Sequence, residues 1–120
     1  MAVTAISLVE LGQNVMSNAL TMTAATAAAD GFVIDYTKDD DKILLIVRND
    51  HASTAQTITI KAGNGLQGVA DTEAFSLAAG AIKVINLESG KFKNVSGTNK
   101  GKVLAIPSTT DIKVAAVLLP

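Results

Sequence analysis

The clearest alternation in this chain is Gln56-Thr57-Ile58-Thr59-Ile60-Lys61. Its isoleucines alternate with polar residues, and a period of two places them on one face of a β-strand. The same alternation recurs over Ala81–Leu87, where Ile82 and Val84 flank a lysine, and over Asp111–Val117. The sequence therefore predicts three strands that each have one buried face and one exposed face.

A fourth segment, Lys42–Asn49, differs because Ile43 to Val47 are all apolar, so that both faces of a strand would be apolar. Its β-branched residues and the polar turns on either side favour a central strand over a helix. Further strands are expected at Ala5–Val9, Phe32–Tyr36, Glu73–Leu77 and Val103–Ile106.

Glycine-containing turns separate these segments about every ten residues; they are Gly63-Asn64-Gly65, Ala79-Gly80 and Ser89-Gly90. The first two are expected to form a tight turn with positive φ angles and a hairpin-like turn. About eight short strands in one chain predict an all-β fold, a single-domain antiparallel β-sandwich of the jelly-roll or Ig-like kind. Residues 1–120 form one domain in this interpretation, with residues 1–30 as a possible N-terminal arm.

Composition agrees with a single core and limits the function classes. The chain has 120 residues, of which 48% are hydrophobic and 3% aromatic, so the core must consist mainly of aliphatic side chains. A net charge of −1 gives no overall field that would attract nucleic acid or an anionic membrane. Cysteine is absent, which excludes disulfides and thiolate chemistry. No targeting signal or membrane-spanning run is evident.

Two apolar segments raise the question of assembly. Ala2–Leu20 is nearly free of charge, and Ala115–Pro120 is an apolar run. Each must either pair within the sandwich or pack on another subunit. Ser17–Asp30, which is rich in alanine and threonine, is expected to be extended or irregular.

The best candidate for partner binding is a polar loop between two predicted strands, Lys91 to Lys102. Its candidate contact residues are Lys91, Phe92, Lys93, Lys100 and Lys102. The lysines could bind an acidic protein or a phosphate, and the alternative is an ordinary solvated loop. Nucleic-acid binding is disfavoured because Phe92 is the only nearby ring on which a base could stack.

Catalytic, metal and cofactor sites are not indicated. His51, the only histidine, lies in a turn beside Asp50 and Ser53, whereas catalytic partners normally converge from distant segments. Asp39-Asp40-Asp41 lacks the spacing of a calcium loop, although the sequence alone leaves cation binding open. Gly63–Gly68 lacks the Lys-Ser/Thr pair of a phosphate-binding loop. We therefore expect neither an enzyme nor a cofactor.

Four stretches carry a resemblance to a known class of proteins; they are Val33–Tyr36, Lys42–Asn49, Thr57–Gly65 and Ile85–Phe92. In their layout, residues 31 to 118 resemble the small structural proteins that decorate or stabilise the heads of tailed bacteriophages. The resemblance implies a non-enzymatic β-sandwich or jelly-roll subunit that binds viral capsid protein in the virion after synthesis in the host cytoplasm. It also implies a small homo-oligomer, for which a trimer is the expected state.

The alternative is a cell-surface or adhesin-like Ig-type module that recognises protein or glycan through its loops. Glycan binding is disfavoured by the absence of tryptophan and the presence of a single tyrosine. Tandem copies and a secretion signal in the complete gene would favour the adhesin.

Overall fold

A computed structural model of the chain describes residues 3–68 and 70–120, with only the backbone of Asp40. The described residues form ten strands: Thr4–Ile6 (β1), Leu8–Glu10 (β2), Thr23–Ala24 (β3), Phe32–Asp35 (β4), Ile43–Asn49 (β5), Gln56–Ile60 (β6), Phe75–Leu77 (β7), Ile82–Ile85 (β8), Lys102–Pro107 (β9) and Ile112–Leu118 (β10). They also form a 3-10 turn, Asp40–Lys42, and one short helix, Ser89–Phe92 (α1). No described helix is long and apolar enough to cross a membrane.

The strands form two sheets that enclose one core. Sheet A has the order β1-β4-β9-β6-β7, and sheet B has the order β2-β10-β5-β8, with β3 also paired to β10. The predicted all-β sandwich is therefore confirmed. Two strand pairs, β1–β4 and β2–β10, are parallel, whereas a wholly antiparallel sandwich was expected. The sheets are mixed.

The parallel pairs arise from the N-terminal segment. The sequence predicts one strand over Ala5–Val9, but the chain forms β1 in sheet A and β2 in sheet B, with the exposed Ser7 between them. One short stretch of chain thus joins the two sheets along one edge of the sandwich.

Alternating side chains on the inner faces build the core. In β5, Ile43, Leu45, Val47 and Asn49 are buried, and the residues between them are half-buried on the outer surface. The core is mainly aliphatic, as the composition predicts, with two aromatic residues; its largest fully buried apolar side chains are Tyr36, Phe32, Ile34, Ile43, Leu45, Ile58, Ile60, Leu77, Ile112, Val103 and Val114. Strand β5 lies between β10 and β8, so its predicted central position is correct.

Strand β8 has the opposite orientation to the one that its sequence predicts. Ile82 and Val84 were expected to be buried, yet they are 61% and 56% exposed. The register explains this, because Lys83 pairs with the inward-facing Val47, and Val84 pairs with the outward-facing Ile46. Lys83 stays exposed in this orientation, because β8 is an edge strand, and its Nζ donates to the Ser76 carbonyl oxygen at 2.9 Å.

The turn at Ala79-Gly80 also differs from the expected hairpin. Gly80 has φ +76°, as a tight turn allows, and Ala81 N–H donates to the Ala78 carbonyl oxygen at 2.9 Å. However, β7 belongs to sheet A and β8 to sheet B, so the turn connects the two sheets. These two edge strands are therefore joined at one end without pairing to each other.

A buried asparagine at the end of β5 stabilises the region where β7 and β8 are joined. Asn49 is fully buried, and its Nδ2 donates to the carbonyl oxygens of Leu77 at 3.0 Å and Thr54 at 3.1 Å. Its Oδ1 accepts a hydrogen bond from His51 N–H at 2.9 Å. Because Leu77 is in sheet A and Asn49 in sheet B, the amide links the sheets through hydrogen bonds.

Asn49→Ala should lower the free energy of unfolding by about 2–4 kcal/mol, because backbone groups near the core lose their partners. Urea denaturation measures the change. Asn18→Ala, in an exposed loop, is the control and should change stability by less than about 0.5 kcal/mol. Equal stabilities of the two variants would contradict this role of Asn49.

A second polar cluster lies on the outer face of sheet B. Arg48 and Lys113 are directly opposite each other on β5 and β10, an unfavourable pairing of like charges. Asp50 lies between them, with its Oδ1 2.5 Å from Arg48 Nε and its Oδ2 2.9 Å from Lys113 Nζ. Hydrogen bonds from Arg48 and then Lys113 lower the pKa of Asp50 from 3.8 to about 2.

Asp50→Asn should lower the melting temperature at neutral pH, because it leaves two cations unbridged. Since the pKa of Asp50 is lowered on folding, its contribution to stability is complete above about pH 4 and is lost as the pH falls to about 2. The melting temperatures of the wild type and the variant should therefore converge over that range in a calorimetric pH series. Asp30→Asn is the charge-matched control, and a constant difference at all pH values would contradict the assignment.

Candidate functional site

The lysine loop, residues 91–102, forms one end of the sandwich. Asn94 closes its base, since Asn94 N–H and Nδ2 donate to the Lys102 carbonyl oxygen at 2.9 and 3.0 Å. Gly101 N–H donates in turn to the Asn94 carbonyl oxygen at 2.7 Å. Gly97 and Gly101 have φ +83° and +79°, conformations that glycine adopts readily. The loop therefore has a defined backbone.

The glycine-rich turn after β6 supports this loop from behind. Asn64 Oδ1 accepts from Val95 N–H at 2.7 Å, and Asn64 Nδ2 donates to the Ser96 carbonyl oxygen at 3.0 Å. Gly63 N–H donates to the Lys91 carbonyl oxygen at 2.9 Å. Positive φ angles were expected at Gly63 and Gly65, but the positive-φ glycines are Gly31, Gly80, Gly97 and Gly101.

Close backbone approach is the reason for glycine at position 63. A Cβ atom there would lie 2.4 Å from the Lys93 carbonyl oxygen, which real structures do not allow. At Gly65 the nearest atom is the Val95 side chain at 3.4 Å, an ordinary contact. The two glycines thus form a matched pair for an experiment.

Gly63→Ala should displace the lysine loop and lower the free energy of unfolding by about 1–3 kcal/mol, the usual effect of overpacking. Gly65→Ala should have an effect below about 0.5 kcal/mol. Denaturant unfolding measures the difference, and amide chemical shifts of residues 91–101 show whether the loop moves. Unchanged shifts in Gly63→Ala would contradict the proposed support.

Two of the five predicted contact residues line one depression. Lys93 and Lys100 line a shallow depression of about 320 Å³ together with Thr37, Asn94, Val95 and Gly101. Lys91 is exposed on α1 and does not line it. Phe92 is half-buried and packs against the core.

Lys102 is half-buried and lies opposite an acidic residue in the sheet. It pairs in register with Asp35 across β9 and β4. Burial raises the pKa of Asp35, but hydrogen bonds from Thr37 and the charges of Lys102 and Lys38 lower it by more. Among the described side chains, no ion pair includes Lys93 or Lys100. These two lysines therefore bring two positive charges to one depression.

The remaining candidates from the sequence are His51 and the acidic turn, Asp39-Asp40-Asp41. His51 Nδ1 accepts hydrogen bonds from Ser53 N–H at 3.2 Å and Thr54 N–H at 3.0 Å, which stabilises the turn after β5. Among the described side chains, no three acidic or histidine groups converge as metal ligands would. Asp40, in the middle of the acidic turn, lies outside the described side chains.

The two apolar segments, Ala115–Pro120 and Ala2–Leu20, differ in how they join the fold. Most of the C-terminal run belongs to β10, within sheet B. Residues 4–10 of the N-terminal segment form β1 and β2, and its first residue, Ala2, lies outside the described residues. Residues 12–21, which we call the N-terminal loop, are all exposed, with Val15 at 69% and Met16 at 94%. Apart from the two residues of β3, Ser17–Asp30 is irregular, as the sequence predicts.

The N-terminal loop projects from the edge of sheet B. Leu11 N–H donates to the Leu118 carbonyl oxygen at 2.9 Å at one end, and β3 pairs with Lys113 and Val114 at the other. No charged residue occurs between Leu11 and Ala29. An exposed and uncharged loop with bare aliphatic side chains is typical of protein contact surfaces.

At the other edge of the sandwich, β7 and β8 do not pair with each other, and the space between them is what we call the open cleft. It has a volume of about 250 Å³ and is lined by Val47, Ile58, Ile60, Phe75, Ser76, Leu77, Lys83, Val84 and Ile85. The sequence did not indicate this cleft, because its alternation placed Val84 on the buried face, whereas Val84 is exposed at the open edge. The short length of the predicted strand Glu73–Leu77 was the feature of the sequence that could have indicated the cleft.

Comparisons with known proteins gave no result, since no family model, curated protein or solved structure matches the chain.

Proposed function

We propose that the protein is a non-enzymatic structural subunit that binds a symmetric lattice of viral capsid protein, as a head decoration or stabilisation protein. The lysine loop carries the proposal, because its backbone is fixed by Asn94 and Asn64 and it presents Lys93 and Lys100 without ion-pair partners among the described side chains. A fixed loop loses little conformational entropy on binding. The resemblance of residues 31–118 to phage head proteins supports the same function.

The charge of the chain makes this contact local. With a net charge of −1, long-range attraction is weak, and the depression beside Lys93 and Lys100 must meet an acidic surface directly. One exposed ion pair contributes roughly 0.2–1 kcal/mol. Several copies held together on a lattice combine such contacts, and avidity can then exceed single-site affinity by about 10² to 10⁴.

Gradient-purified particles produced from the genome that encodes the chain should contain the protein in a fixed ratio to capsid protein. Stripped particles should rebind the recombinant protein, and binding should weaken with salt because exposed charges are screened. Absence of the protein from the particles would contradict the proposal. Its recovery at the cell surface instead would favour the adhesin-like module.

Lys93→Gln and Lys100→Gln should each reduce rebinding to stripped particles, and the double variant should reduce it further. Each substitution removes one positive charge from the depression and leaves the loop backbone bonds intact. Lys42→Gln removes the same charge from the 3-10 turn and should bind like the wild type. Cosedimentation measures binding, and equal occupancy of all variants would exclude the lysine loop as the docking surface.

A further inference from the structure

The chain contains one Asn-Gly pair, Asn64-Gly65, and it lies in the turn that supports the lysine loop. Asparagine is a chemically labile residue, and its side chain reacts most readily with the backbone when glycine follows, because glycine has no Cβ atom to hinder the approach. The other six asparagines all precede residues that carry a Cβ atom. The sequence therefore distinguishes Asn64 from the rest.

The structure leaves the reacting backbone nitrogen free. Asn64 is exposed, and Gly65 is half-buried. The Gly65 carbonyl oxygen accepts a hydrogen bond from Gly68 N–H at 3.1 Å, but Gly65 N–H donates to no group among the described residues. A backbone nitrogen that holds no hydrogen bond is open to loss of its proton and to attack on the neighbouring side chain.

The lysine loop restrains this reaction, because it holds both polar atoms of the Asn64 side chain. Asn64 Oδ1 accepts from Val95 N–H at 2.7 Å, and Nδ2 donates to the Ser96 carbonyl oxygen at 3.0 Å. The side chain must turn towards the Gly65 nitrogen to react, and this movement breaks both bonds. The reaction therefore requires a local separation of the loop from the turn, which does not require the sandwich to unfold.

We infer that Asn64 is a site of spontaneous deamidation that is controlled by the lysine loop, and that its conversion releases the loop. The Gly65 nitrogen loses its proton and bonds to Asn64 Cγ, the Cγ–Nδ2 bond breaks, and Nδ2 leaves as ammonia with that proton. Water then opens the resulting succinimide. Cleavage of the bond between nitrogen and Cγ gives aspartate, and cleavage at the main-chain carbonyl gives isoaspartate. Water is the sole co-reactant.

Both products weaken the support of the loop. A carboxylate accepts hydrogen bonds but donates none, so it keeps Val95 N–H as a partner and loses the Ser96 carbonyl oxygen. Two acceptor oxygens then face each other, and repulsion between them favours separation. Isoaspartate also lengthens the main chain by a methylene group next to Gly63, whose N–H donates to the Lys91 carbonyl oxygen. The change is covalent, so the loop does not return to its first state.

The deamidation itself does not rest on the proposed binding to capsid protein, whereas its effect on docking does. A free subunit would lose its fixed docking loop with time. A docked subunit would keep it, because a partner that holds the loop against the turn also keeps Asn64 bonded. The modification would thus remove the binding capacity of subunits that are not assembled.

Peptide mapping tests the site. The purified protein is incubated in mildly alkaline buffer and digested with trypsin, and the peptide 62–83 contains Asn64 as its sole asparagine. This peptide should become heavier by about 1 Da and separate into aspartate and isoaspartate forms. Gly65→Ala should react several-fold more slowly, because its Cβ hinders the attack, and the fold tolerates it. Conversion at other asparagines alone, or equal rates in Gly65→Ala, would overturn the assignment.

The control by the lysine loop has its own test. The wild type unfolded in urea should deamidate several-fold faster than the native protein. Gly63→Ala, which displaces the loop, should also react faster than the wild type. Asn49→Ala weakens the fold away from the loop and should keep the wild-type rate. Equal rates in Gly63→Ala and the wild type, or acceleration in Asn49→Ala, would overturn the control by the loop.

The consequence for the loop is tested with the aspartate product itself. Asn64→Asp should shift the amide resonances of residues 91–101 and reduce rebinding to stripped viral particles. Asn18→Asp introduces the same charge in the exposed N-terminal loop and should do neither. Unchanged resonances in Asn64→Asp would overturn the release of the loop. Shifted resonances in a protein whose wild type does not bind the particles would contradict only the capsid proposal.

Discussion

The pairing of β5 with β10 is the constraint on which the rest of the fold depends. Seven residues of each strand are in register, from Ile112 opposite Asn49 to Leu118 opposite Ile43. A slip of one residue would turn every inward side chain of a strand outward, at roughly 1.5–3 kcal/mol for each large aliphatic side chain exposed. The free edge of β10 receives β2 and β3, and that of β5 receives β8. The register thus places the N-terminal loop and the open cleft at opposite edges.

Residue pattern was sufficient to predict the strands but not their sheet partners. Alternation identified the segments that became β6 and β10, and the continuous apolar run identified the central strand β5. The division of Ala5–Val9 between two sheets depends on long-range pairing with β4 and β10, which a local pattern does not contain. The orientation of β8 was wrong for a related reason. Its alternation fixes which residues share a face, but the register with β5 decides which face turns inward.

The candidate site was predictable in part. Position and charge identified the lysine loop, and the structure keeps Lys93 and Lys100 together at one depression. Chemistry alone could not show that Phe92 packs on the core or that Lys102 lies opposite Asp35. The support that Asn64 and Gly63 give to the lysine loop could not be predicted either, because it joins segments about thirty residues apart in sequence. The open cleft is a consequence of strands that end early, and strand ends are weakly encoded in a sequence.

The parallel arrangement of β2 and β10 has a mechanical consequence. Leu8–Glu10 lies beside Ala116–Leu118 with both strands pointing the same way. Tension that pulls residue 7 and residue 119 apart therefore acts along the strands, and the bonds between them must break together under shear. An antiparallel pair in this position would peel open one bond at a time. Force in this direction loads the β2–β10 pair in shear, while the edge formed by β7 and β8 stays outside its path.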